Sequence, residues 1–281
     1  MITIFTISYN SAAVIEQCMD SLMRSQGYRI IVVDNASRDG SAGKIRETYP
    51  HVEIIELSQN IGYGRAANVA LKQVSTPYAL LINPDLLVSA EDISALLEIA
   101  EKHKEAALIG PAVKEQDHLK QGMLEREWIS GSAMLFNMEQ FTETGFFDEK
   151  IFLFYEETDL CKRLISSGKK IYLCSDLFIE HLKGQSCAPN PAVEYMKSWH
   201  MGWSLMHYLK KHRLDSGRKS SWRLRLNYAF KAAFSTNADK RLKSKARLLV
   251  SRAYLSGQEA FLADGTPQIN PASRENPFCK V

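Results

Sequence analysis

Apolar blocks and amphipathic segments alternate through the first hundred residues. Residues 2–8 (Ile-Thr-Ile-Phe-Thr-Ile-Ser) form an apolar run of strand length, and Val14, Cys18, Leu22 and Met23 then recur at helical spacing over 12–25. The alternation continues with strands expected over 29–34, 52–56 and 78–83. Helices are expected after Gly40, over 64–74 and over 90–104. Short apolar strands separated by helices predict an α/β fold whose sheet is mostly parallel and doubly wound, because parallel neighbours need a crossover and the crossover is right-handed.

The chemistry to inspect first is at the strand ends, since ligands of such sheets bind beyond the carboxyl ends of the strands. Four successive ends are polar: Ser8-Tyr9-Asn10, Asp34-Asn35-Ala36-Ser37, Asn60-Ile61-Gly62-Tyr63-Gly64-Arg65 and Asn83-Pro84-Asp85. Any one of these would pass as ordinary turn or helix-cap chemistry. Four on one edge point to a polar ligand. Pro84 stops its strand and lets the Asp85 carboxylate project from the edge, a placement suited to a divalent cation.

Regularity falls after about residue 106. Strands are expected near 108–113, 128–136 and 170–174, with a helix over 156–167. The stretch from Phe146 to Cys161 sets Asp148, Glu149, Glu156, Glu157 and Asp159 among aromatic residues. Acids at a helix start are favoured by the macrodipole, and clustered carboxylates beside apolar groups also gain the proton affinity a general base needs. His181 follows as a lone imidazole, either a structural residue or a partner for a carboxylate-bound ion.

Charge divides the chain. Residues 1–196 hold 18 Lys and Arg against 27 Asp and Glu, whereas residues 197–252 hold 15 against 2 and are patterned as helices. The five cysteines show neither zinc-site nor disulfide spacing and read as buried thiols of a reducing compartment. With no basic-then-apolar leader at Met1 and no run of about 18 apolar residues, a cytoplasmic location is expected.

Taken together, these phrases resemble glycosyltransferase family 2, and within it the rhamnosyltransferase-like branch of bacterial O-antigen and other surface-polysaccharide synthesis. The resemblance is carried by Ser8-Tyr9-Asn10, the 32–41 and 60–68 phrases, Leu81-Ile82-Asn83-Pro84-Asp85, Ser130-Gly131-Ser132-Ala133-Met134, Gly145-Phe146-Phe147-Asp148-Glu149, the 155–163 phrase and His181. It implies a GT-A fold over 1–190, with a nucleotide-sugar half over about 1–105 and an acceptor half over about 106–190. A basic helical extension over 191–257 and a loop-rich tail over 258–281 follow.

The resemblance further implies an inverting transfer, in one in-line displacement, from a dTDP- or UDP-sugar, with L-rhamnose favoured, to a polyprenyl-diphosphate-linked glycan. Asp34 would accept from the pyrimidine ring N–H, with Ser8, Asn10, Asn60, Gly62, Arg65, Asn83 and Asp85 lining the rest of the donor. Asp85, with His181, would hold Mg²⁺ or Mn²⁺. Glu157 stands at the base position with Glu156 as the fallback. It departs from the family's usual Glu-Asp pair by one methylene. Trp128, Gly131, Ser132 and Asp159 would face the acceptor.

Trp199, Trp203, Tyr208 and the cations of the basic block suggest attachment to an anionic membrane face, placing the enzyme on the inner surface of the cell membrane. A solvated appendage or a homodimer contact is the competing reading. A nucleic-acid partner is not expected, because the acidic half and the four polar loops would have no role in it. The alternatives to rhamnosyl transfer are a catalytically silent sugar-nucleotide-binding homologue and a UDP-hexose transferase for another acceptor.

Overall fold

A computed structural model describes residues 1–23, 27–182, 191–214 and 218–269, with side chains from 225 in the last segment. The helix expected to reach Ser25, Cys187, Cys279 and the Asn270-Pro271 and Asn276-Pro277 part of the tail lie outside the described residues. The chain falls into two compact units, residues 1–148 with 157–187 and residues 149–156 with 188–281.

The first unit opens with β1 (Ile2–Ser8), α1 (Ile15–Met23), β2 (Arg29–Asp34), α2 (Ser41–Thr48), β3 (Glu53–Glu56), α3 (Tyr63–Leu71) and β4 (Tyr78–Ile82). Then come β5 (Leu86–Leu87), α4 (Ala90–Lys102), β6 (Ala106–Ala112), α5 (Glu115–His118), β7 (Met123–Glu125) and β8 (Ala133–Asn137). The helix α6 (Glu156–Ser166), all but its first residue, with β9 (Lys170–Phe178) and β10 (Glu180–His181), completes it. Eight strands make one sheet in the order β3-β2-β1-β4-β8-β6-β9-β7, and β5 pairs with β10 in a separate two-stranded ribbon.

The expected strands and helices of the first hundred residues are all present, and β1 to β4 are mutually parallel. The second half makes the sheet mixed. β8 runs antiparallel to both β4 and β6, and β7 antiparallel to β9. Because β4 and β6 both oppose β8, and β9 is parallel to β6, the strands β1, β2, β3, β4, β6 and β9 all point the same way. Their carboxyl ends, and the amino end of β8, share one edge.

Strand alternation distributes the core over both faces of the sheet. Ile2, Ile4, Ile30, Val32, Leu80 and Ile82 pack with Ile15, Met19, Leu22, Ile45, Ile93 and Leu96 from α1, α2 and α4. Phe5, Ile7, Ile31, Val33 and Leu81 point the other way, onto Ala66, Ala70 and Leu71 of α3 and Leu160 and Leu164 of α6. The α4 start is fixed by a reciprocal capping box between Ser89 and Asp92. Cys18, Cys161 and Cys174 are free and buried, and burial pushes the Cys18 and Cys161 thiols up to about 12.

The second unit holds α7 (Pro191–Lys211), α8 (Arg218–Phe234) and α9 (Ala238–Leu255). Trp199 and Trp203 of α7 pack against Ala246 and Val250 of α9, with Phe152 and Ala260 closing the cluster. A Cβ on Gly202 would come within 2.6 Å of Val250, so glycine is what allows α7 to approach α9 this closely. His200 is fully buried between Phe152 and Trp199, and burial pulls its imidazole down to about 3.

Candidate active site at the sheet edge

The loops after β1, β2 and β3 hold one another through side-chain amides and hydroxyls. Asn35 Nδ2 donates to Asn60 Oδ1 (3.0 Å) and to the Gly62 carbonyl (3.3 Å), and Asn35 Oδ1 accepts from the Ile61 amide (2.9 Å). Asn60 Oδ1 also accepts from the Gly62 amide. Gly62 has φ 89° and ψ 163°, a conformation open almost only to glycine, and the chain turns there into α3 with Arg65 in its first turn.

Asn10 accepts from the Arg38 amide through Oδ1 (2.8 Å), and its own amide donates to Ser37 Oγ (2.9 Å). Ser8 is fully buried, its Oγ 2.7 Å from Ser11 Oγ. The Ser8 carbonyl accepts from the Asn35 amide (2.8 Å), so Ser8 and Asn10 both tie the first loop to the second. Asp34 Oδ2 accepts from the Ser37 amide (2.9 Å), while its buried Oδ1 has no hydrogen-bond partner among the described residues. A buried carboxylate oxygen left open costs about 1–3 kcal/mol or more unless a donor arrives from outside. Asn10 and Ala36 take positive φ in these loops, and Ala36 does so against its own preference.

The next loop is stitched across β8. The Asn83 amide donates to the Ser132 carbonyl (2.8 Å), and the Tyr63 hydroxyl sits 2.8 Å from Asn83 Oδ1 and 3.0 Å from the Gly131 carbonyl. Ser130 and Ser132 hydroxyls meet at 3.0 Å. Asp85 is 4% exposed. In the ribbon, Leu86 pairs with His181 and Leu87 with Glu180, and the Leu182 amide donates to the Asp85 carbonyl. That pairing sets His181 Nε2 3.1 Å from Asp85 Oδ1.

Both of these atoms are buried and have no hydrogen bond among the described residues. An acceptor oxygen facing a ring nitrogen in this way suits a shared cation, and two ligands at about 2.1 Å from one octahedral ion lie about 3 Å apart. The pair therefore fits a divalent ion that takes its remaining ligands from a substrate. Among the described residues no group of three His, Cys, Asp or Glu is placed to hold a metal.

Glu157 lies against Gly131, whose Cβ position is 3.4 Å from the Glu157 stem. Burial raises the affinity of its carboxyl for a proton, and a hydrogen bond from the Trp128 side chain opposes that rise. Trp128 and Gly131, expected on the acceptor side, thus meet at Glu157. Glu156 is buried and belongs to the second unit. Phe154 and Tyr155, just before it, both have positive φ, each at a cost of about 1–3 kcal/mol.

Asp159, also expected on the acceptor side, makes a buried ion pair. It is fully buried, 2.9 Å from Arg163 Nε, and Arg163 holds the carbonyls of Thr144 and Phe146. The pair secures the turn leading to Phe147. Sequence reasoning assigned no role to Asn35, Tyr63 or Asn68, although all three lie in the quoted phrases. Asn68 brackets Phe147 from α3, donating to its carbonyl (2.9 Å) and accepting from its amide (3.0 Å).

The fold is shared with solved structures that hold nucleotides or nucleotide sugars. A mannosyltransferase from Pyrobaculum calidifontis, solved with GDP-Man and Mn²⁺, aligns with a TM-score of 0.59 at 15% identity over 91% of this chain and 74% of that one. Residues 1–349 of S. aureus TarS, solved with UDP, align at 0.56 and 15% identity over 97% of each. These likenesses define a GT-A scaffold. The model of glycosyl transferase family 2 matches residues 3–161, and the chain belongs to that family: it is an inverting glycosyltransferase.

Among characterised relatives, the N-acetylglucosaminyl-diphospho-decaprenol L-rhamnosyltransferase of Mycobacterium tuberculosis is 23% identical over 72% of this chain and 86% of its own length. The rhamnosyltransferase WbbL of Escherichia coli K12 is 23% identical over 78% of this chain and 96% of its own.

Proposed function

We propose that the protein moves L-rhamnose from a pyrimidine nucleoside diphosphate to a hydroxyl of a polyprenyl-diphosphate-linked glycan, as a step of surface-polysaccharide synthesis. The observation that carries the reading is the buried Asp85 and His181 pair, 3.1 Å apart and with no hydrogen bond at either atom among the described residues, at the edge where the donor loops converge. The names of the mycobacterial and E. coli relatives support the sugar, and the mycobacterial name supports the acceptor class.

In this reading Asp34 Oδ1 accepts the pyrimidine ring N–H, and the Asn35, Asn60 and Gly62 lock shapes the nucleoside side of the site. Arg65 and Asn83 complete the donor site. Glu157 takes the proton from the acceptor hydroxyl. The acceptor oxygen then attacks the anomeric carbon from the face opposite the diphosphate, the bond to the diphosphate breaks, and the proton remains on Glu157. A divalent cation, Mg²⁺ or Mn²⁺, on Asp85 and His181 would supply positive charge to the leaving diphosphate.

Among the described residues no helix is long and apolar enough to cross a membrane. Attachment to the cytoplasmic membrane face is assigned to the basic second unit. On α8, Leu226, Phe230 and Phe234 recur every four residues and are 50–71% exposed, on a segment rich in Lys and Arg. Apolar insertion with cations alongside is how a helix lies on an anionic bilayer, each nearby cation adding about 1 kcal/mol.

A donor panel of dTDP-rhamnose, UDP-GlcNAc, UDP-glucose and GDP-mannose tests the proposal, with an N-acetylglucosaminyl-diphosphate isoprenoid analogue as acceptor and with Mn²⁺, Mg²⁺ or chelator present. Transfer of rhamnose that is lost on chelation and in Asp85→Ala is expected, along with a weakened Mn²⁺ binding isotherm for that variant. Turnover of no sugar nucleotide, or activity and Mn²⁺ affinity unchanged by Asp85→Ala, would overturn it.

A further inference from the structure

The same sheet edge carries a second concavity on its other flank. The loops after β1 to β4 occupy one side of β8, and the ends of β6 and β9 occupy the other, since the sheet order passes from β4 through β8 to β6 and β9. A cleft of about 740 Å³ opens there, lined among others by Lys114, Gln116, Phe178, Glu180 and His181. Its volume is within the range of about 300–1,000 Å³ usual for small-molecule sites. His181 closes the end next to Asp85, so the cleft begins where the donor site stops.

An irregularity in β9 shapes this cleft. Pro111 of β6 pairs with Cys174, but the next residue, Ala112, pairs with Phe178, leaving Ser175, Asp176 and Leu177 looped out of the ladder. Bulges of this kind cost ladder hydrogen bonds and re-aim the side chains that follow. Here three hydrogen bonds, to His118 and Gly122, hold the bulge. His118 Nδ1 is 2.8 Å from the Ser175 carbonyl, the Gly122 amide donates to Asp176 Oδ1, and the Ser175 amide donates to the Gly122 carbonyl.

The residue delivered by the bulge is Phe178, an aromatic ring 38% exposed at the end of a strand whose Ile171, Leu173 and Cys174 are buried. The His118 ring braces it at 5.3 Å. An exposed aromatic face with a carboxylate, an amide and an ammonium around it matches a pyranose, which offers C–H groups on one face and hydroxyls at its rim. Resting on the transferase reading above, we propose that this cleft is the acceptor-sugar subsite. Phe178 is the platform the sugar stacks on, Glu180 and Gln116 are partners for its hydroxyls, and Lys114 is the cation nearest an acceptor diphosphate.

Calorimetric titration of the full chain tests this with an N-acetylglucosaminyl diphosphate bearing a short isoprenoid tail, run with and without UDP, and separately with UDP and dTDP alone. Phe178→Ala should weaken the acceptor analogue about five- to tenfold, the loss of one stacking contact. Phe178→Trp should restore it to within about twofold of wild type, and nucleotide affinity should move by less than about twofold in either variant.

An acceptor affinity equal in wild type and Phe178→Ala overturns the inference. So does a parallel loss of acceptor and nucleotide affinity, which would report a damaged fold, or no acceptor binding to wild type with or without UDP. Failure of wild type to bind either nucleotide would instead strike at the donor reading. The nucleotide-free titration would still decide the subsite.

Discussion

The two flanks of the sheet edge are built on opposite principles. On the donor flank, side chains bond one another and the loop backbone: Asn35 the Asn60 side chain and the Gly62 carbonyl, Asn10 the Arg38 amide, Tyr63 the Asn83 side chain and the Gly131 carbonyl. Among the described residues, Asp34 Oδ1, Asp85 Oδ1 and His181 Nε2 are buried there without a hydrogen bond. On the other flank Lys114, Gln116 and Glu180 are exposed, and the backbone beneath them is shaped by a bulge. A preorganised rim suits a ligand whose nucleotide part is constant, and an open one suits a glycan recognised through a few contacts.

The largest effect expected is at Glu157, packed against Gly131 just before β8. Glu157→Gln should lower kcat about 10²- to 10⁴-fold with donor affinity kept, checked by transfer rate and nucleotide titration. Next is the donor lock. Asn35→Ala leaves the Ile61 amide and Asn60 without their partner, and should destabilise the fold by about 1–3 kcal/mol while raising donor KM about tenfold. An equal rise in acceptor KM would erase the contrast between the flanks.

Two smaller effects concern titration. Burial favours neutral His200, whose folded pKa of about 3 is below the unfolded value of about 6.5, so the unfolded chain binds the proton first. Its contribution is complete above about pH 6.5 and is lost as pH falls towards 3, at up to about 1.4 kcal/mol per pH unit. His200→Leu should flatten that part of the stability curve in acid denaturation and leave the pH profile of transfer in place. Smallest is Trp128→Phe. Its hydrogen bond holds the Glu157 carboxyl down, so removing it should move the acid limb of kcat/KM to higher pH.

Much of the donor flank was legible because its physics is local. Continuous apolar runs such as Ile30-Ile31-Val32-Val33 define strands buried on both faces, and loops that must bond one another need Asn, Asp, Ser and Gly at fixed places. Direction is not written in alternation, so the antiparallel insertion of β8 was not foreseen. Its strand starts at Ala133 rather than near 128 because Ile129 to Ser132 form the loop around Gly131. The ribbon strands β5 and β10 are two residues each, below what any pattern reveals. The 175–177 bulge has no glycine or proline to announce it, and nothing in the pattern around Asp159 announces its ion pair with Arg163.

The β5 and β10 ribbon also sets a parity rule for evolution. His181 reaches Asp85 only through an antiparallel register in which successive residues face opposite sides. One residue gained or lost between Phe178 and His181 would leave the eight-stranded sheet untouched and turn the imidazole to the far face of the ribbon. Length variation in that connection should therefore come in steps of two or be accompanied by loss of activity, a constraint on insertions that neither residue identity alone conveys.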